Sequence, residues 1–435
     1  MDTTTDTTTD TTMLRPRLVR RSLVDLMSTG ARVRLIAILG AMTALGPLTI
    51  DTYLPALPSI TRDLGSTDAA VGYTLAGTLF GFAMGQLVVG PLSDSLGRKR
   101  PMVVGASLHI VASLLCAVAP TVLALTGFRV LQGFSAAAAG VVALAIVRDV
   151  ARGRAFVTMM SRMLLVMGAA PVLAPTLGSF VLGWTDWRGV FVMLAVIGAL
   201  LLMVAVVGLP ETLPPTRRLE GGLRNNAAAY GTLLRDRTFV GLALVAGLTM
   251  SAVFAYVGGS SFVMQQTYGL SVAQFGLVFG AGSIALITGT QLNPRLVSRW
   301  TSARVLGVAI AVGVLAAAAM VVVAALGLGG LPGLLVPLWV VLGCVGVALP
   351  NSPALALQSH GNIAGTAAAL LGAAQFGVAA LVGPLFGLIG LSALSMASVI
   401  LGGLVLTLAV YLLVVRPWSL PAPDEDAEPV PVSAH

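Results

Sequence analysis

The chain has 435 residues, of which 57% are hydrophobic and only 10% charged. A typical soluble domain carries about 25% charged residues, and one water-exposed fold of this size cannot hide so much apolar surface. The composition therefore excludes a soluble protein and indicates a chain embedded in lipid. The formal net charge of +8 is spread over short connecting segments without a nucleic-acid-binding motif, so it does not indicate a nucleic-acid partner.

Both ends of the chain have the composition of tails. Residues 1–12 are a Thr/Asp repeat, and the stretch from Arg15 to Arg34 is basic without a cleavage-site pattern. We therefore expect a cytoplasmic tail over residues 1–33 rather than a signal peptide. An amphipathic segment lying on an anionic leaflet explains the basic stretch as well as a solvated tail does. The Pro-rich, acidic residues 417–435 predict a second cytoplasmic tail.

Between the tails, apolar runs of about 20 residues recur, which is the length that crosses the hydrocarbon of a bilayer. The longest polar connection, residues 211–237, divides them into predicted six-helix bundles over 34–210 and 238–416. The sequence thus predicts an all-α membrane protein with twelve transmembrane helices in two halves. The predicted runs are 34–56, 69–92, 102–119, 122–147, 159–183, 188–209, 238–262, 271–293, 303–327, 333–356, 361–387 and 391–415.

The basic residues predict the orientation of these runs. With the N-terminus inside, 22 of the 25 Lys and Arg residues fall in inner segments, and two, Arg62 and Arg188, fall in outer ones. Arg129 is the remaining one and lies within a run. By the positive-inside rule we expect both termini to be cytoplasmic, in a plasma membrane.

Asp51 is the one acidic residue of 17 that lies within an apolar run. A carboxylate there costs about 2.5–3.5 kcal/mol on insertion scales and therefore needs a reason to exist. Burial disfavours the charged form, so such a group can bind and release a proton near neutral pH. The alternative is a carboxylate at the outer end of a helix, since Pro55 and Pro58 follow closely.

Arg129 is the one basic residue within an apolar run, in the fourth one. We expect it in the outer half of the bilayer, at a depth similar to that of Asp51. Since arginine stays charged, it is predicted to act on Asp51 and to exchange partners when that acid is protonated. A structural ion pair that only closes the bundle is the alternative.

The segment Gly90-Pro-Leu-Ser-Asp94-Ser-Leu-Gly97-Arg98-Lys99-Arg100 follows the second run. Gly90 is expected to let two helices approach, and Gly97 to permit a tight turn. Asp94 can cap the next helix or pair with Arg98, and Asp149 is a second candidate partner. We expect these charges to form a cytoplasmic gate. The positive-inside rule accounts for the basic residues here, but not for the Gly and Asp spacing.

These motifs resemble those of a known family. The Gly90–Arg100 segment resembles the loop 2–3 signature of the major facilitator superfamily, and Arg129-Val-Leu-Gln132-Gly133 resembles the fourth-helix motif of its proton-coupled members. The resemblance to its antiporters is carried by Gly168-Ala-Ala-Pro171-Val-Leu-Ala-Pro175-Thr-Leu-Gly178. Resemblance to the Bcr/CflA drug exporters is carried by Asp51-Thr-Tyr53-Leu-Pro55-Ala-Leu-Pro58, Phe254-Ala-Tyr256-Val-Gly-Gly-Ser-Ser261 and Gly365-Thr-Ala-Ala-Ala-Leu-Leu-Gly372-Ala-Ala-Gln375.

The resemblance implies two six-helix halves around a central cavity and a drug:proton antiporter of the bacterial inner membrane. It implies Asp51 as the proton-coupling acid, Arg129 as its support and Gly168, Pro171, Pro175 and Gly178 as an antiporter motif in a helix that can bend. The chain departs from the group at Ser179, where relatives often carry Gly, and at Ser261, where they often carry Pro. Thr43 stands where some members have a second acid, which favours coupling by one carboxylate.

Aromatic and neutral polar side chains are candidates for contact with a small amphipathic substrate. A packing or lipid-facing role is the alternative for each. His109 is expected to be packed or at the lipid edge, with a proton relay as the less favoured alternative. The candidate substrate-binding residues are Tyr53, Gln132, Phe254, Tyr256, Gln265 and Gln375.

Export of an endogenous metabolite or natural product is an alternative function within transport, and a receptor or scaffold is one from another class. No nucleophile–base set or Walker A motif indicates an enzyme. Two cysteines and three histidines do not suggest a metal cluster, so we expect no cofactor beyond a proton gradient. The expected partners are drug-like small molecules, protons and the bilayer, and a monomer is the expected state.

Overall fold

The computed structural model describes residues 27–151, 153–218, 222–360 and 363–419. Most of the two predicted tails, 1–26 and 420–435, lies outside the described residues. The described residues are mostly helical, with short connections.

Twelve helices within these ranges are long and apolar enough to cross a membrane, which is the number predicted from the sequence. We call them spans 1 to 12. Their bounds in chain order are Thr29–Asp63, Asp68–Leu96, Lys99–Ala117, Val122–Val150, Thr158–Leu182, Trp187–Gly208, Arg237–Thr267, Val272–Val297, Ser302–Leu326, Gly330–Gln358, Ala364–Ile389 and Ala393–Val415.

Side chains that cap the first backbone N–H groups fix where several spans begin. Thr67 and Thr121 accept from the backbone N–H groups of Ala70 and Ala124 at the starts of spans 2 and 4. Ser271 and Gln274 form a reciprocal capping box at the start of span 8. These polar caps are short, and an apolar stretch follows each of them directly.

Not every span is a continuous α-helix. Span 1 is an α-helix over Thr29–Asp51, a 3₁₀ turn over Leu54–Ala56 and a second helix over Leu57–Asp63. Pro55 and Pro58 lie in the first turns of the two later segments, where a missing N–H is tolerated. The other interrupted spans are span 7, with Arg237–Phe262 followed by a π turn Val263–Thr267, span 11, with Ala364–Ala379 and Val382–Ile389, and span 12, with Ala393–Val410 followed by a π turn Tyr411–Val415. Span 5 lies within one continuous α-helix, Gly153–Leu182.

Because consecutive spans run in opposite directions, the connections alternate between two ends of the bundle. We call the end at which span 1 begins and span 12 finishes the terminal end. The opposite end, where span 1 passes into span 2 near residue 65, is the distal end. Spans 1–6 and spans 7–12 are the two predicted halves, here called the first half and the second half.

Glycines bring neighbouring helices into close contact at two corresponding places in the halves. A Cβ on Gly81 or Gly133 would collide with backbone across the contact of spans 2 and 4. A Cβ on Gly289 or Gly346 would do the same across spans 8 and 10. The prediction that Gly90 provides the close approach of span 2 is wrong, because a Cβ there would meet one methyl group at an ordinary 3.9 Å.

The polar connection between the halves, predicted as a loop, contains helical structure. A 3₁₀ turn occupies Pro215–Arg217, and an α-helix, here called the connecting helix, occupies Gly222–Arg235. Leu233 of this helix is fully buried, and the Tyr230 hydroxyl donates to the Leu87 carbonyl of span 2 at 3.3 Å. An amphipathic helix with a buried leucine and polar neighbours was too weakly apolar to stand out from the surrounding arginines and prolines.

Candidate functional site

Asp51 is the last residue of the first α-helix of span 1, just before the chain turns into the 3₁₀ segment. The residue is buried, with 6% of its surface exposed. Within the described residues its carboxylate has neither a hydrogen-bond nor an ion-pair partner, and Tyr256 of span 7 lies within its electrostatic reach. Asp51 therefore lies between the halves, as a buried acid that the protein itself does not compensate.

Arg129 of span 4 is completely buried and contacts span 1. Its Nη1 donates to the Thr49 carbonyl at 2.9 Å and to Gln132 Oε1 at 2.6 Å. Its guanidinium lies over the Tyr53 ring, 4.0 Å from the centroid. Arg129 thus holds the residues on both sides of Asp51.

The predicted contact between Arg129 and Asp51 is wrong for this structure. Thr49 and Tyr53 are four residues apart, so they share the face of span 1 that meets Arg129. Asp51 lies about 200° around the helix from Thr49, because each residue turns it by about 100°. No ion pair joins the two residues in the described part of the chain. Arg129 instead contacts the Thr49 carbonyl and the Tyr53 ring, on either side of Asp51.

Arg129 also has unused hydrogen-bonding capacity. Among the described residues, its Nε and Nη2 atoms are buried without a partner, although a guanidinium has five N–H donors. Leaving buried donors unpaired costs free energy. The present contacts of Arg129 are therefore one arrangement of a group that can make more.

A layer of polar side chains connects Arg129 to span 3. Gln132 accepts from Arg129 and donates through Nε2 to the Ser113 hydroxyl at 2.7 Å. His109 is fully buried, and its Nε2 lies 2.9 Å from the Thr49 hydroxyl. The expectation of a lipid-edge histidine is thus wrong, and that of a packed one is correct. This layer stiffens spans 1, 3 and 4 around the Asp51 turn.

The six predicted substrate residues fall into separate groups. Tyr53 and Gln132 are fully buried and occupied by Arg129 within the first half. Gln265 bridges the halves, donating to the Pro55 carbonyl at 3.2 Å and to the Ser261 hydroxyl at 2.8 Å. Tyr256 stacks on Phe279, with centroids 4.9 Å apart. These four side chains have structural partners in this state.

Phe254 and Gln375 lie near aromatic residues that sequence reasoning missed. Phe376, next to Gln375, packs against Phe82 of span 2 at 4.5 Å and against Phe254 at 6.2 Å, measured between ring centroids. We call Phe82, Phe254 and Phe376 the aromatic bridge, since it connects spans 2, 7 and 11 across the two halves. Phenylalanines are common in any apolar span, so the sequence alone could not single out Phe82 and Phe376.

Hydrogen bonds from several side chains join the halves near the distal end. Ser261 donates to the Leu54 carbonyl at 2.6 Å, and Ser179 donates to the Val272 carbonyl at 3.0 Å. Deeper in the bundle, about halfway along spans 5 and 8, the Ser283 hydroxyl lies 3.3 Å from the Pro171 carbonyl. Together with Gln265 on Pro55, these contacts form what we call the distal seal. The structure is therefore closed at the distal end.

The residues of the predicted antiporter motif contact span 1 and span 8 around this seal. A Cβ on Gly178 would collide with the Thr52 carbonyl, so this glycine packs span 5 against the Asp51 turn. The carbonyls of Pro171 and Pro175 face span 8, the former accepting from Ser283 and the latter approaching Gly276. A Cβ on Gly168 would have only an ordinary 3.9 Å contact with Ile287 of span 8.

The charges after span 2 come together at the terminal end. Arg98 pairs with Asp94 at 2.6 Å and with Asp149 of span 4 at 2.8 Å. Gly97 adopts φ 89°, which favours glycine. The structure thus assembles Asp94, Arg98 and Asp149 as the sequence predicts and uses Asp94 for pairing rather than for capping.

Glu211 completes this charge cluster and was missed by sequence reasoning. Its carboxylate accepts from the backbone N–H groups of Arg98, Lys99 and Leu213 at 2.9, 3.2 and 2.9 Å. Partial burial opposes ionisation, but these three hydrogen bonds and nearby Arg218 hold the pKa of Glu211 below its ordinary value. Glu211 therefore caps the start of span 3, which has no side-chain cap of its own.

Residues 38–384 match the family described as Major Facilitator Superfamily. The chain belongs to the major facilitator superfamily. It is therefore a multi-pass membrane transporter and not an enzyme.

Its relatives within the superfamily include resistance proteins. A bicyclomycin resistance protein homolog of Haemophilus influenzae is 30% identical over 350 residues, covering 80% of this chain and 88% of the relative. An uncharacterized MFS-type transporter of Bacillus subtilis, YdgK, is 35% identical over 370 residues, covering 85% and 92%. The resistance relative supports membership of the drug-exporter group that the motifs resemble.

Solved structures support the fold. A bacterial homolog of the human lysosomal transporter Spinster, in an inward-facing and unoccupied conformation, has a TM-score of 0.69. It is 18% identical and covers 90% of this chain and 98% of its own.

Ser179 and Ser261, at which this superfamily member departs from the motifs it resembles, both take part in the distal seal.

Proposed function

We propose that this transporter is a proton-coupled exporter of small amphipathic drugs. The observation that supports this most directly is the Asp51 carboxyl, buried between the halves with no partner in the described part of the protein. A permanently charged group in that position is costly. A carboxyl that binds a proton in one state and loses it in another can instead carry that proton through the transport cycle.

In the proposed cycle, protonation of Asp51 and binding of substrate exclude each other. In the state open to the cytoplasm, Asp51 releases its proton and substrate enters the cavity between the halves. In the state open to the outside, Asp51 is protonated again and substrate leaves. The protonated carrier then returns, so proton influx drives export.

Arg129 is a positioning residue in this scheme. It fixes Thr49 and Tyr53, and so sets where Asp51 lies between the halves. Because it does not pair with Asp51, it leaves that carboxyl free to respond to the cavity. Its unused donors provide contacts for a rearranged span 1 in another state.

The aromatic bridge supports an amphipathic, uncharged substrate class. Phe82, Phe254 and Phe376 offer ring faces, and Gln375 offers an amide that makes no hydrogen bond within the part of the chain that the structure describes. Such a combination suits drugs with an apolar body and few polar groups. The resistance relative from Haemophilus influenzae makes bicyclomycin a natural first probe, and chloramphenicol a second.

Orientation follows from the distribution of basic residues. The terminal end carries Arg98, Lys99 and Arg148 as well as the arginines near residue 300. We infer that this end is cytoplasmic, in a bacterial inner membrane, and that the protein works as a monomer. One proton per cycle then supplies about 2.3 kcal/mol for each 100 mV of membrane potential, in addition to the pH gradient.

The proposal is tested by adding drug to purified protein in weakly buffered detergent and recording pH. Bicyclomycin or chloramphenicol should release protons saturably from the wild-type protein and not from Asp51→Asn. Asp63→Asn, which removes an exposed carboxylate at the distal end, should release them normally. Proton release only with a metabolite outside the drug panel would favour export of an endogenous compound. Drug binding with no proton release would contradict coupling.

A further inference from the structure

A lateral groove of about 670 Å³ lies between spans 8, 9 and 10, away from Asp51 and the interface of the halves. Leu292, Val308 and Val340 line it and are each about half exposed. Its lining belongs to the second part of span 8, the first part of span 9 and the middle of span 10, so it opens toward the terminal end. The groove faces the surroundings of the bundle, where lipid lies.

The groove has a cationic rim at the terminal end. Arg304 and Trp300 line it there, and Arg295 and Arg299 are exposed on the same connection. The sequence contains no Asp or Glu between Arg237 and Pro423, and none of these arginines forms an ion pair within the described residues. Spans 7 to 12, as far as the structure describes them, therefore contain no acidic side chain to pair with these arginines.

The length of the groove matches one leaflet. Its lining on span 8 extends from Ala285 to Leu296, which at 1.5 Å per residue is about 16 Å. Half of a bilayer's hydrocarbon core is about 15 Å. An acyl chain lying along this groove would place its headgroup near Arg304 and Trp300, the residue types that occupy the membrane interface.

We propose that this groove binds an anionic phospholipid of the leaflet at the terminal end. One acyl chain lies along the apolar lining, and Arg304 binds the phosphodiester. The positive charge of this rim selects an anionic headgroup over a zwitterionic one. This site is separate from the proposed transport cycle and does not depend on it.

Native mass spectrometry of the delipidated full-length protein tests the site. Phosphatidylglycerol and phosphatidylethanolamine with identical acyl chains are titrated separately. Phosphatidylglycerol should bind at lower concentration, and Arg304→Gln should weaken its binding about fivefold, the effect of one arginine near an anionic surface. Arg62→Gln removes an exposed charge at the distal end and should leave binding unchanged. Equal binding of the two lipids, or of wild type and Arg304→Gln, would overturn the proposal.

A second measurement locates the acyl chain. Cys344 lines the groove, whereas Cys116 is completely buried elsewhere. Phosphatidylglycerol should slow alkylation of Cys344, and inorganic phosphate should not. Val308→Trp, which fills the groove, should reduce lipid retention, while Val336→Trp, exposed on span 10 outside it, should not. Protection of Cys344 by bicyclomycin and not by phosphatidylglycerol would identify a drug portal and refute the lipid site.

Discussion

Asp51 and Arg129 illustrate what sequence reasoning can recover at the scale of single residues. A lone acid and a lone base in apolar runs are visible without coordinates, because each costs free energy in lipid. Their relative orientation is not visible, since it depends on the phase of span 1 around its axis. Thr49 and Tyr53 occupy the face toward Arg129, and Asp51 therefore turns away from it.

Replacing Arg129 with lysine tests its positioning role. Lysine keeps the charge but cannot hold the Thr49 carbonyl and Gln132 while lying flat on the Tyr53 ring. We expect Arg129→Lys to fold and to lose at least tenfold in drug efflux rate, measured in inverted vesicles. Arg62→Lys, on the distal surface, should transport normally. Normal efflux by Arg129→Lys would show that the charge alone suffices.

Glu211 was overlooked because an exposed acid in a polar connection carries no special signal. Its pKa is lowered in the folded protein relative to its ordinary value of 4.5. Such a carboxyl stabilises the fold above its unfolded pKa, and the contribution disappears as pH falls through the lower, folded value. Its stabilisation should therefore be complete at pH 7 and decline below about 4.5.

The corresponding experiment compares unfolding temperatures of wild type and Glu211→Gln in detergent. Glu211→Gln should unfold at a lower temperature at pH 7, and the difference should shrink at acid pH below the ordinary value. Arg218→Gln, which removes only a 4.0 Å ion pair and leaves the three backbone hydrogen bonds, should have a smaller effect. A difference that does not change with pH would count against the assigned role of the carboxylate.

At the scale of elements, the apolar periodicity of the chain predicts the spans but not their interruptions. Span 1 breaks after Asp51, where Pro55 begins a new turn, and span 7 ends in a π turn that carries Gln265. Hydropathy averages over such irregularities. The connecting helix was missed for the opposite reason, since its mixed composition is close to that of a loop.

The distal seal yields a prediction at this scale. Ser261→Ala removes the hydrogen bond to the Leu54 carbonyl, and hydrogen bonds between helices in membranes contribute about 0.6 kcal/mol on average. The population closed at the distal end should therefore fall about threefold relative to the open one. Spin labels at Arg62 and Thr267, in a background without Cys116 and Cys344, would report the change as a shift in the distance distribution.

Ser260→Ala is the matched control for this experiment. The Ser260 hydroxyl bonds to the Val257 carbonyl of its own helix, at 3.4 Å, and makes no contact in the distal seal. Its replacement should leave the distance distribution unchanged. Equal distance distributions for Ser261→Ala and wild type would show that this hydrogen bond does not favour the state closed at the distal end.

At the scale of the whole molecule, the two halves share a packing plan and differ in charge. Close glycine contacts join spans 2 and 4 and again spans 8 and 10. Where Arg98 pairs with Asp94 and Asp149, the second half has Asn351 donating to Asn293 at 2.6 Å. Gly289 and Asn293 of the second half have the same spacing as Gly90 and Asp94 of the first.

This asymmetry places the charged residues of the proposed cycle in the first half. Asp51, Arg129 and the Arg98 cluster all belong to spans 1–4 and their connections. The second half supplies neutral partners, namely Tyr256, Gln265 and Phe376. Motion of the halves relative to one another would thus change the surroundings of Asp51 without breaking an ion pair between them.

The most direct test of the account is drug transport by Asp51→Asn protein in liposomes with an imposed pH gradient. The amide keeps the size of the side chain and cannot carry a proton. We predict that wild type accumulates bicyclomycin or chloramphenicol against its gradient, whereas Asp51→Asn still binds the drug and only equilibrates it. Proton-driven accumulation by Asp51→Asn at the wild-type level would contradict the central claim.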